Sequence, residues 1–415
     1  MITKRSGKAK RFLSRLTLVF FGLLIGAIIA EAALRLAGYS YPGFYMPDNS
    51  RGHALIPNRE GWYRKEGEAW VKINSAGLRD REHSKTKPEN TIRIAVLGDS
   101  YAEALQVSLE QAFWVVMEQK LRSCNAFPGK QIEVLNFGVS GYGTAQELLT
   151  LREKVWDYSP DIVLVTVTTN NDITDNSRAL KKTDEAPYFV YRDGQLVLDD
   201  SFRGSRSFQL RQSRISRLGR WIKDHYRLLQ AINEAHHGLK ILLASWKSRR
   251  DASPQPSATP ENQKPDVAAT SEELGADNLV YTPPINSTWE DAWRVTEGLI
   301  LLMRDEVTAK GASFVVVTMS NGPQVLPSPD ARRAYMQRFG ISDLFYPDNR
   351  IKQLCLRSNI PVITLAPELQ AYAEKEQVFL HGFGSDIGNG HWNAAGHARG
   401  GELLAENLCH TVSKN

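Results

Sequence analysis

Short apolar runs recur along the chain at Ile92–Gly98 (IRIAVLG), Ile132–Leu135, Asp161–Val167, Ser313–Thr318 and Pro361–Leu365. Continuous branched and aliphatic residues bounded by polar ones predict strands covered on both faces. Helical periods lie between them. In LEQAFWVVMEQKL the apolar Phe113, Val116, Met117 and Leu121 share one face. Ser287 and Glu290 have capping-box spacing ahead of Trp289, Trp293, Ile300, Met303 and Val307. Strands alternating with helices predict an α/β fold, a doubly wound, mostly parallel sheet whose ligands bind outside the carboxyl ends of the strands.

The third and fourth runs are separated by roughly 145 residues, far more than one crossover helix needs, so the spacing predicts an insertion at about 180–285. Within it, Ser213–Arg250 alternates basic residues with Leu, Ile and Trp and reads as helical, either a solvated hairpin or a lid or membrane-surface helix. Ser253–Asp277 is rich in Pro, Ser and acidic residues and predicts a disordered loop. Residues 37–90 are rich in Pro, Gly and charge, with one strand-like piece at Trp70–Ile73. They read as a neck packed on a main domain spanning 91–412.

A longer apolar run, Leu16–Ala30, continues after Glu31 through Ala32, Ala33 and Leu34. At about 18 residues it is near the minimum for crossing a bilayer. Residues 1–15 then form a basic cytoplasmic tail, 16–36 a membrane anchor, and the long remainder lies outside, because positive charge precedes the run. The alternative is a cleaved signal peptide, since Ala30-Glu31-Ala32 resembles a small-residue cleavage site. Either way the main domain is exported; with the anchor retained, the expectation is a single-pass protein of the cell inner membrane with a periplasmic domain.

The net charge of +5 changes meaning once located, because Lys4, Arg5, Lys8, Lys10, Arg11 and Arg15 precede every acidic residue. Subtracting those six from +5 leaves −1 for the remainder, so the basic surface a nucleic-acid partner requires is not indicated. Three cysteines are too few for a disulfide scaffold and lack metal-ligand spacing. Cys355 with Cys409 is the expected pair if one forms, and buried free thiols are the alternative.

The first run ends in Gly98-Asp99-Ser100, placing a hydroxyl at the ligand edge of the sheet. Ala102 stands where a nucleophile elbow would have its last glycine, which disfavours the α/β-hydrolase fold. A serine needs a base within hydrogen-bond reach. Of the nine histidines, His391 lies where a glycine-rich loop, Gly382–Gly390, meets a helix, and His397 lies inside that helix as a structural residue. Acyl transfer also needs donors for an oxyanion. The second run leads into the glycine-rich NFGVSGYGT and the third into Thr169-Asn170-Asn171-Asp172, so candidate donors converge at the same edge. Taken singly, these are also what a tight turn and a helix cap look like.

Gly-Asp-Ser, a glycine turn, Asn-Asp and a late His together resemble the SGNH (GDSL-type) hydrolases. NSAGLRD at Asn74–Asp80 and HWNAAGH are similar to their membrane-anchored bacterial branch. The resemblance implies a flavodoxin-like sheet with Ser100 as nucleophile, His391 as general base, and Gly141 and Asn171 completing an oxyanion hole with the Ser100 N–H. It implies neither cofactor nor metal. One departure stands out: the family places a carboxylate two or three residues before the histidine, where this chain has Asn389 and Gly388. Asp386 is the expected substitute if the loop folds back; a Ser-His dyad, a histidine oriented by a backbone carbonyl, or an impaired site are the alternatives.

The expected activity is hydrolysis or transfer of a small acyl group, such as acetyl, on an extracytoplasmic carbohydrate or lipid. The competing expectation is an anchored, non-catalytic binding or assembly protein, motivated by the missing carboxylate and the large insertion. A metal-dependent phosphatase or nuclease is disfavoured, because the sequence shows no carboxylate and histidine cluster suited to a metal pair.

Overall fold

The computed structural model describes residues 4–124, 127–251 and 278–412. The disorder expected for Ser253–Asp277 lies outside the described residues. The chain divides into two compact units, residues 1–43 with 213–261 and residues 44–212 with 262–415.

The second unit begins with two antiparallel hairpins, β1 (Tyr45–Asp48) with β2 (Gly52–Leu55) and β3 (Glu60–Tyr63) with β4 (Ala69–Lys72). Phe44, Leu55, Ala69, Val71 and Ile73 form a small core with Leu105, Val139 and Tyr142 from the sheet's ligand edge. Residues 44–90 thus belong to the same compact unit as the sheet.

The sheet follows, with β5 (Thr91–Leu97), β6 (Gln131–Asn136) and β7 (Ile162–Thr168). A separate antiparallel hairpin, β8 (Tyr188–Arg192) with β9 (Gln195–Asp199), precedes the sheet strands β10 (Ser313–Met319) and β11 (Val362–Thr364). The sheet is parallel throughout, in the order β11-β10-β7-β5-β6. It is doubly wound because alternate residues feed opposite layers. Ala95, Leu97, Val163, Val165, Phe314 and Val316 enter one core, and Ile94, Val96, Leu164, Val315 and Val317 enter the other. Two-sided burial explains why these strands read as unbroken apolar runs.

The helices used below are α1 (Lys4–Leu36), α2 (Ser100–Glu103), α3 (Phe113–Ser123), α4 (Thr144–Glu153), α5 (Thr169–Asp175), α6 (Arg214–His225), α7 (Arg227–Asp251), α8 (Ser287–Ala309) and α9 (Ala394–Val412). Residues of α4 and α8 supply the first core, and residues of α3 and α9 the second. The N-cap of α8 is Asn286, whose side chain accepts from the Trp289 N–H, so Ser287 is the first helical residue and not the cap expected of it. A second correction concerns the cysteines. Cys124 pairs with Cys409, joining the ends of α3 and α9, while Cys355 is a buried free thiol. The packing of α9 on α3 brings together cysteines 285 residues apart, which sequence position alone does not suggest.

Candidate active site

Gly98-Asp99-Ser100 closes β5 and opens α2. A side chain on Gly98 would place its Cβ 2.0 Å from Thr166 Oγ1 on β7, so only glycine permits this tight exit from the sheet. Asp99 caps α2 through the Tyr101 N–H (3.0 Å), and its oxygens also accept from Thr168 Oγ1 (3.0 Å) and Asn171 Nδ2 (3.0 Å). One buried carboxylate therefore fixes the nucleophile turn, the end of β7 and the start of α5 relative to one another.

Ser100 Oγ lies 2.7 Å from His391 Nε2. The other imidazole nitrogen, Nδ1, is bonded to Glu66 Oε2, and the His391 backbone N–H donates to Glu66 Oε1 at 2.7 Å. Glu66 sits in the turn between β3 and β4 and orients the imidazole through both carboxylate oxygens. Gly390 permits this approach: an added Cβ would stand 2.3 Å from Glu66 Oε1, and the residue has φ +73°. Asp386, expected in this role, is exposed on a single 3-10 turn at Gly384–Asp386, and the nitrogen it was to meet is held by Glu66. The loop closes instead on backbone bonds, Asp386 N–H to the Phe383 carbonyl and Asn389 N–H to the Asp386 carbonyl.

Burial opposes charge on both members of the pair, yet mutual contact prevails. Burial would raise the Glu66 carboxyl, but its bonds to His391 hold it below the ordinary value. Burial would lower the His391 imidazole, but Glu66 raises it above the ordinary value. The carboxylate thus stabilises the imidazolium that forms when His391 takes a proton.

Neighbouring residues hold the base in place. His381 bonds the Gly390 carbonyl through Nδ1 (2.7 Å) and faces Ser320 Oγ through Nε2 (3.0 Å), while Trp392 Nε1 donates to the same Ser320 oxygen (2.8 Å). Burial pushes His381 down to about 4, so it is neutral, with its proton on Nδ1 donated to the carbonyl. Tyr101 OH also donates to the Gly390 carbonyl (3.0 Å). His397 is fully buried, accepts the Phe113 N–H through Nδ1 (3.3 Å) and stacks on the Phe113 ring. A second buried acid, Glu103 at the end of α2, accepts from Tyr45 OH (2.7 Å), and burial pushes it up to about 7.

Asn171 lies in the first turn of α5 and uses one Nδ2 hydrogen on Asp99, leaving the other for a ligand. Gly141 lies in the exposed turn after β6 with φ +76°, and its carbonyl accepts from Lys181 Nζ at 2.7 Å. The sequence motifs locate Ser100, His391, Asn171 and Gly141; Glu66 and Glu103 carry no such motif.

A serine, an imidazole and a carboxylate in this order form a relay equipped for nucleophilic attack on an acyl carbon. No protein-family model matches the chain, and no curated protein matches it. Among solved structures it is similar to the acetyl xylan esterase AlAXEase, at 13% identity and a TM-score of 0.37, over 77% of this chain and 99% of that one. It is similar to the acetylxylan esterase Axe2 of Geobacillus stearothermophilus at 12% identity and a TM-score of 0.35, over 79% and 96% of the two chains. A G-D-S-L family lipolytic protein of Desulfitobacterium hafniense gives 12% identity and a TM-score of 0.33, over 76% and 99%. At that level of likeness, the chemistry of this chain has to be read from its own residues.

Proposed function

We propose that the chain is a membrane-anchored serine esterase of the SGNH type that acts outside the cytoplasm on a small acyl ester, such as acetate, borne by a carbohydrate or lipid. The observation that carries this is the contact of Ser100 Oγ with His391 Nε2 at 2.7 Å while Glu66 holds Nδ1. In the mechanism, His391 takes the Ser100 proton as the oxygen attacks the ester carbonyl. The tetrahedral oxyanion is met by the Ser100 and Gly141 N–H groups and the free Asn171 Nδ2 hydrogen. The imidazolium, stabilised by Glu66, returns its proton to the departing alcohol and leaves an acyl-serine. Water deprotonated by His391 then releases the acid; a sugar hydroxyl in the same place would make the reaction a transfer.

Export is supported by two features. The Cys124–Cys409 disulfide suits an oxidising compartment. The helix Arg11–Leu36 is long and apolar enough to cross a membrane. Retention of that helix is supported by Glu31, whose carboxylate accepts the Arg227 N–H (3.0 Å) and Leu228 N–H (2.9 Å) that begin α7. Cleavage after Ala32 would remove this cap. Because Glu66 supplies the carboxylate whose absence had favoured a binding protein, the enzyme is preferred.

The test is labelling of the full chain in detergent with a fluorophosphonate, with the modified peptide located by mass spectrometry. Label is expected on Ser100 and is expected to vanish in Ser100→Ala and His391→Ala. A folded protein unlabelled at Ser100 would remove the esterase and restore the binding protein.

A further inference from the structure

We propose that α6 is a second membrane contact, an interfacial helix that lays its apolar face on the anionic outer surface of the bilayer that α1 crosses. This rests on α1 being a retained anchor. In α6 the residues Ile215, Leu218 and Ile222 recur at helical spacing with Trp221 beside them, forming one stripe. Ile215 is 85% exposed, Leu218 57% and Trp221 52%, so the stripe faces outward from its own unit. The rest of the helix carries Arg217, Arg220 and Lys223 against a single acid, Asp224, and Arg214 stands at its start. An exposed apolar stripe with Trp, bordered by Arg and Lys, is the composition of a helix lying in a headgroup region. Long basic side chains there keep their charge in the phosphate layer while their stems cover apolar surface.

What covers the stripe is indicated by where the helix is tied. Counted from Leu16, just past Arg15, about 30 Å of hydrocarbon takes about 20 residues at helical rise, so α1 leaves it at the turn that holds Arg35. The corner between α6 and α7 is fastened to that turn. Arg35 Nη2 donates to the carbonyl of His225, the last residue of α6, at 2.6 Å, and Arg35 Nε bonds Glu31 at 2.7 Å. Glu31 caps α7 as described, the Tyr41 N–H donates to Gln230 Oε1 (2.7 Å) and the Gly43 N–H donates to Asp224 Oδ1 (3.2 Å). The C-terminal end of α6 is therefore held beside the segment of α1 that leaves the hydrocarbon. Its basic border, Arg217, Arg220 and Lys223, complements anionic headgroups.

The test uses the full chain reconstituted in vesicles of phosphatidylcholine with about 30% phosphatidylglycerol, in the headgroup-attraction regime. A nitroxide is placed by Ile215→Cys in one sample and by Lys223→Cys in another, and collisions with oxygen and with a water-soluble nickel chelate are compared. The label at 215 is expected to meet oxygen several-fold more readily than the chelate, and the label at 223 the reverse. Equal chelate access at both positions would overturn the proposal. So would protection at 215 that fades when the protein is diluted in lipid, because a second copy would then be the cover. Mass spectrometry of the N-terminus and resistance to alkaline carbonate read the anchor separately: an intact, resistant chain with a wet position 215 sinks only the α6 contact, whereas a chain beginning after Ala32 sinks the anchor and the contact with it.

Discussion

Glu66 is the residue on which the proposed chemistry depends most visibly, because it both aims His391 and raises its proton affinity. As general base His391 must be neutral, so activity rises with pH as the imidazole loses its proton. A raised imidazole places that rise at higher pH than an isolated histidine would. In Glu66→Gln the raising charge is gone, and the acid limb of kcat/KM is expected to move to lower pH while the maximum falls by as much as roughly 10⁴. A pH–rate profile of the variant checks both; a fall with no displacement of the limb would mean that Glu66 serves only to pack the loop. Gly390→Ala should mimic part of this effect, since its Cβ would displace Glu66 Oε1 from 2.3 Å away.

Among the elements, α3 and α9 are joined twice, by packing in the second core and by the Cys124–Cys409 bond. Removing the bond in Cys124→Ser/Cys409→Ser is expected to cost about 2–4 kcal/mol. Thermal melting with and without reductant measures this, and an unchanged Tm would mean the helix packing suffices. Elements differ in how plainly the sequence announces them. The five sheet strands are legible because two-sided burial leaves no polar alternation in them. The β8–β9 hairpin has a local signal in Asp193-Gly194 between two strand-like runs, where both residues take positive φ (49° and 77°), inside the stretch read above only as an insertion. Ser100 and His391 stand in compact motifs. Glu66 does not, because its partner is 325 residues away and only the docking of a hairpin turn brings them together. The cysteine pairing was hidden for the same reason: it is set by tertiary packing and not by local pattern.

For the whole molecule, the sheet and the proposed catalytic set begin at different points in the chain. A chain starting at residue 91 retains every sheet strand, Ser100 and His391, but lacks Glu66 and uncovers Leu105, Val139 and Tyr142. Such a chain is expected to give slow fluorophosphonate labelling at Ser100 even where circular dichroism shows a folded α/β protein. Labelling as fast as that of the full chain would mean that the Ser-His pair works unaided. The same separation has a temporal side. Ribosomes add roughly 5–20 residues per second, so the 325 residues between Glu66 and His391 take on the order of 15–65 s to make. Once Ser100 has been made, the nascent chain holds an acid and a serine without a base, so under the proposed mechanism its nucleophile stays dormant until His391 has been added.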